Sequence, residues 1–106
     1  MRPLLLATAA ALLAAACNND AGPAVPIEPA ALYTQMCARC HGVDGHGDPQ
    51  LKVRDFSDPA FRATARNEDI ERVIMGGRNQ MPAFGGLLSP PKIQAVTGYV
   101  KRLGAR

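Results

Sequence analysis

With 106 residues, 20% of them charged, and a formal net charge of +3, this chain has room for one small domain and lacks the basic stripe of a nucleic-acid binder. It contains no Trp, two Tyr and three Phe. So few aromatic residues in so short a chain argue against a self-sufficient apolar core, and a bound group or other staple is expected.

The N-terminus reads as an export leader over residues 1–16. Arg2 precedes an apolar run from Leu4 to Leu13, and small residues follow up to Cys17. That run is too short for a comfortable transmembrane helix. Leu13-Ala14-Ala15-Ala16-Cys17 resembles a bacterial lipoprotein signal, with the usual Leu one place early. The resemblance implies cleavage before Cys17, lipidation of its thiol and a membrane-anchored protein in the bacterial periplasm. Multiple acyl chains would hold firmly, at about 0.8 kcal/mol per buried methylene. The alternative is plain Ala-x-Ala cleavage that leaves Cys17 as a free thiol. Residues 17–29 carry Pro23, Pro26 and Pro29 and no apolar periodicity, which predicts a flexible tether.

Residues 30–106 are expected to form the folded domain. A first helix is predicted from about Ala30 to Cys40, with Pro29 at its start and Leu32, Tyr33 and Met36 on one face. It runs into Cys37-Ala38-Arg39-Cys40-His41. This C-x-x-C-H pattern is the attachment site of a c-type haem, with both thiols bonded to the porphyrin and the imidazole on the iron. Side chains three apart on a helical turn face the same way, so both sulfurs can meet one porphyrin edge. A zinc site would need four ligands, and only His46 is left over nearby. A thioredoxin-like dithiol would need a βαβ context, which the pattern of this chain does not offer. One covalent haem c is therefore expected, and it is the staple the composition calls for.

Gly42, Gly45, Gly47 and Pro49 then predict a loop, and Asp55-Phe56-Ser57-Asp58-Pro59 a turn-rich stretch. A short helix is expected over Ala60–Ala65. Asn67 is the expected N-cap of the next helix, with Glu68 and Asp69 in its first turn. Ile70, Val73 and Ile74 form its apolar face, and Gly76-Gly77 ends it. Ser89 and Pro90 suit the start of a last helix whose stripe is Ile93, Val96, Val100 and Leu103. No run of alternating strands appears, so the fold class is all-α, with long loops around a cofactor.

The ligand facing His41 across the iron decides what the haem can do. The best candidate is Met81, on a glycine-flanked loop and followed by Pro82, which stiffens the backbone. Met36 and Met75 fall inside predicted helices and read as core fillers. His46 is too close in sequence to His41 to reach the opposite haem face.

Cys37-Ala38-Arg39-Cys40-His41-Gly42, Met81-Pro82-Ala83-Phe84 and Tyr99 in an amphipathic last helix resemble a class I cytochrome c. The match spans roughly residues 30 to 104. It implies that the first and last helices cross beside the haem, with Tyr33 and Tyr99 at the crossing and Gly98 permitting close approach. His41 should donate its second ring N–H to a carbonyl, and Pro49 is the candidate acceptor. Arg54 and Arg78, with Asn79 and Gln80, could bond the haem propionates. Phe56, Phe61 and Phe84 could wall the haem or fill core.

The expected function is single-electron transfer between redox protein partners, without catalysis. A thioether ligand favours Fe(II) and raises the potential. The rivals are a haem-based gas sensor or enzyme with a labile Met81, and a fixed subunit of a redox complex. The scarcity of lysine argues against docking through a lysine ring.

Overall fold

The computed structural model describes residues 25–106. The leader, Cys17 and most of the tether lie outside the described residues. Among the described residues the fold is helical and contains no strand. In chain order come α1 (Pro29–Met36), α2 (Ala38–His41), α3 (Pro59–Thr64), α4 (Asn67–Gly76) and α5 (Pro90–Gly104).

The last helix is the spine of the domain. Its predicted stripe is the core: Ile93, Val96, Val100 and Leu103 are all buried. Helices α1 and α4 pack against it. From α1 comes Tyr33, only 1% exposed, and from α4 come Ile70 and Ile74. Tyr33 and Tyr99 meet at 5.1 Å between ring centroids, tilted by 49°, where the first and last helices cross. That tilted geometry suits two ring quadrupoles. Thr97 also lies in the core, fully buried, because its hydroxyl donates to the Ile93 carbonyl at 2.8 Å within the helix.

Several local features differ from expectation. The helix predicted over Ala30–Cys40 ends at Met36 and restarts at Ala38, with Cys37 at φ −122° and ψ −36° between them. The amides of Cys40 and His41 both turn to the Cys37 carbonyl, at 3.2 and 3.0 Å. The N-cap of α4 is Arg66, with Asn67 already helical. The Asp69 carboxylate accepts from the Arg66 backbone N–H at 3.3 Å and from its Nε at 3.2 Å, which secures the helix start. Ser89 stands at the start of α5 without a capping side-chain bond. Met75 is 52% exposed and no core filler, whereas Met36 packs at the core edge.

The close approach assigned to Gly98 belongs to Gly104. A Cβ at Gly98 would meet only the Arg102 guanidinium, at 3.2 Å. A Cβ at Gly104 would collide with the Phe56 carbonyl. The end of α5 is thus pressed against the long loop over residues 42–58, which is where the site lies.

Candidate functional site

One large cleft, about 1350 Å³, gathers the residues that the sequence singles out. Cys37, Cys40, His41 and Met81 all line it, as do Arg54 and Arg78. Pro49 is exposed and stands outside its wall. The rest of the wall is largely apolar: Phe56, Phe61, Phe84, Ile70, Val73, Ile74, Val96 and Val100. Drug-sized ligands occupy about 300–1,000 Å³, so the cleft suits something larger, flat and apolar.

The break after α1 brings the first thiol to this cleft. Cys37 is half-buried at the junction and Cys40 is exposed on α2. Burial pushes the Cys37 thiol up to about 11, with Cys40 adding to the rise. A thiol-disulfide catalyst needs the opposite shift, towards thiolate. Among the described residues no group of three or more His, Cys, Asp or Glu could hold a free metal ion.

His41 is the last residue of α2. Its ring stacks on Phe56 at 4.7 Å and 19°. Burial lowers its pKa, and the contact with the Arg54 carbonyl opposes that shift. The net effect favours the neutral imidazole, the form that binds a metal. Its Nδ1 faces the Arg54 carbonyl at 3.5 Å. This corrects the expected acceptor: it is the Arg54 backbone and not Pro49 that turns towards the ring. The Arg54 side chain is engaged elsewhere, 3.6 Å from Asp58 and with its guanidinium carbon 5.7 Å from the Phe61 ring centroid.

Met81 is held by its backbone. Arg78 and Met81 exchange two hydrogen bonds, 3.1 Å from the Arg78 N–H and 2.9 Å from the Met81 N–H, closing a tight hairpin around Asn79 and Gln80. Asn79 takes φ +53°, a left-handed value that Asn tolerates better than most residues. At Gly77 (φ +73°) a Cβ would sit 2.7 Å from the Met81 carbonyl. The Phe84 amide then bonds the Ile74 carbonyl at 2.8 Å, pinning the loop to α4.

Sequence reasoning missed three contributors to this arrangement. The Arg54 carbonyl carries no signal, because every residue has one. The Tyr33 hydroxyl donates to the Gly42 carbonyl at 2.6 Å, a bond that periodicity does not reveal. Asn79 is expected above only as a propionate partner; its turn role could have been found, since Asn in a glycine-flanked loop tolerates the left-handed conformation.

The cleft therefore fits a haem on three counts: two thiols on one wall, an imidazole and a thioether as nitrogen and soft sulfur donors, and apolar surroundings. The chain matches the family described as cytochrome C oxidase, cbb3-type, subunit III, over residues 24–100. The chain belongs to this family. It is similar to the cbb3-type cytochrome c oxidase subunit FixP of Azorhizobium caulinodans, 37% identical over 76 residues. That match takes in 71% of this chain and 26% of FixP, so the chain spans about a quarter of the length of these oxidase-subunit relatives. It is 34% identical to cytochrome c6 of Bumilleriopsis filiformis over 71 residues, 65% of this chain and 80% of that one. Among solved structures, the KustC0563 c-type cytochrome is 31% identical with a TM-score of 0.68, covering 73% of this chain and 98% of that chain.

This domain is accordingly a small all-α class I cytochrome c with one haem c attached covalently through cysteine. Cys37 and Cys40 are the cysteines among the described residues. Membership implies electron transfer.

Proposed function

We propose that this protein is an exported monohaem cytochrome that passes single electrons between redox protein partners on the periplasmic side of a membrane. Cys37 and Cys40 hold the haem, and His41 and Met81 ligate its iron. The observation that carries this reading is the convergence of both thiols, the His41 imidazole and the backbone-clamped Met81 on one apolar cleft.

When bound, haem c supplies a one-electron iron couple. The chain's residues set its properties. His41 and Met81 would ligate the iron and so leave substrate no place on the metal. Apolar side chains from α4 and α5 exclude water, which disfavours the more highly charged ferric form. Arg54 and Arg78 stand at the wall where propionates can accept from them. Residues 1–16 act as the leader, lipid on Cys17 anchors the protein, and residues 17–29 give the domain reach.

Attachment is tested by mass spectrometry of the protein matured in a periplasm. Wild type should carry one haem that survives denaturation, and Cys37→Ser with Cys40→Ser should carry none. Anchoring is tested by labelling with a radioactive fatty acid. Label on wild type and none on Cys17→Ser supports the lipid, and unlabelled wild type contradicts it.

The oxidase-subunit relatives favour a second reading, in which the domain is a fixed subunit of a larger redox complex. A stoichiometric complex surviving mild detergent would support it over the free carrier.

A further inference from the structure

The Arg54 carbonyl that faces His41 lies on an irregular stretch with no helix to hold it. Three features bring that stretch against the loop that follows His41. The Phe56 amide bonds the Gly45 carbonyl at 2.9 Å. A Cβ on Gly47 would come within 3.0 Å of the Val53 carbonyl and 3.3 Å of the Arg54 carbonyl, so glycine lets the two runs approach.

The third feature is a side-chain bridge. His46 Nδ1 lies 3.0 Å from Ser57 Oγ and 3.3 Å from Asp55 Oδ1. Ser57 donates to the same Asp55 oxygen from its Oγ at 2.6 Å and from its backbone N–H at 2.9 Å. The pattern closes with the proton on His46 Nδ1, donating to the Ser57 hydroxyl, which donates on to Asp55. The backbone of His46 is anchored as well, because its main-chain N–H donates to Asp44 Oδ1 at 3.0 Å. One imidazole thus ties the loop after His41 to the residue next to Arg54.

We propose that His46 and Asp55 are positioning residues: they hold the Arg54 carbonyl against His41 Nδ1 and thereby tune the donor strength of the imidazole and the reduction potential of the iron. This rests on the reading of His41 as an iron ligand. A ring N–H that donates to a carbonyl makes the other nitrogen a stronger donor. A stronger donor stabilises the ferric state and lowers the potential. Loosening the bridge weakens that bond and raises the potential.

The sign separates positioning from simple charge. Removing an imidazolium near the iron would lower the potential, the opposite direction. His46→Asn separates them again: its side-chain N–H stands at the place of Nδ1 and keeps a donor for Ser57 and Asp55, whereas for charge alone it is equivalent to His46→Ala.

The experiment uses the haem-loaded protein, with potentials measured by spectroelectrochemistry and solvent exchange of the His41 ring proton measured by NMR. His46 is 56% exposed in its side chain, so its replacement leaves the core intact. His46→Ala should raise the potential and speed ring-proton exchange roughly fivefold, the factor that corresponds to a hydrogen bond of about 1 kcal/mol. His46→Asn should stay near wild type in both. An unchanged or lowered potential in His46→Ala, or unchanged exchange, overturns the proposal. Failure of the underlying reading looks different: wild type itself would show no ring proton of His41 shifted by the iron, and the proposal would fall with it.

Discussion

The Tyr33 hydroxyl donates a 2.6 Å hydrogen bond to the Gly42 carbonyl, tying α1 to the residue that follows His41. Gly42 has φ +80°, a turn that bends the chain away from α2 immediately after His41. A helix at the core of the domain thus fixes the end of the C-x-x-C-H segment. Replacing Tyr33 by Phe keeps the ring packing against Tyr99 and leaves the carbonyl only the longer bond from the Gly45 N–H, at 3.2 Å. The expected loss is about 1 kcal/mol in denaturant unfolding.

The same residue predicts an alkaline limit. Burial raises the Tyr33 pKa well above its ordinary value, with Tyr99 and Asp44 adding to the rise. The raised value belongs to the folded state, so the neutral phenol favours folding. That contribution is fully present below about pH 10, the unfolded value, and is lost as pH rises above it. Unfolding midpoints measured between neutral and strongly alkaline pH should fall for wild type and fall less for Tyr33→Phe.

The loop of Met81 makes a separate prediction. Asn79→Gly should leave the fold and the haem spectrum intact, because glycine accepts a left-handed φ. Asn79→Val should lose roughly 1–2 kcal/mol, since a β-branched residue resists that conformation. Gly77→Ala sets a Cβ against the Met81 carbonyl and should loosen the loop further. In the reduced protein, carbon monoxide binding should increase in the order wild type, Asn79→Val, Gly77→Ala.

Two glycines of α5 should behave in opposite ways. Gly98→Ala meets only a flexible Arg102 side chain and should be neutral or stabilising by up to about 1 kcal/mol. Gly104→Ala meets the Phe56 carbonyl and should destabilise by about 1–3 kcal/mol. Thermal unfolding of both variants checks the pair.

Much of this architecture was legible because it rests on periodicity and on one chemical motif. The stripe of α5 and the apolar face of α4 emerge from helical spacing alone. Cys37, Cys40 and His41 stand out by residue type. What stayed hidden depends on the backbone. The kink at Cys37 depends on which carbonyl its neighbours choose, and the acceptor for His41 is the main chain of Arg54, which any residue could supply. Thr97 reads as polar yet is buried, because its helix satisfies its hydroxyl. Met75 reads as apolar yet lies exposed, because it follows Ile74 by one position and so stands about 100° round the helix from the buried face of Ile70 and Ile74.

On the proposed reading, Met81 would join His41 as a ligand of the iron and restrict it to electron transfer. Absorption spectra of the oxidised and reduced protein, with and without carbon monoxide, test it most directly. The expected result is a weak near-infrared sulfur-to-iron band in the ferric form, absent in Met81→Ala, and no carbon monoxide shift in reduced wild type. A wild-type spectrum without that band, with ready carbon monoxide binding, would contradict the claim.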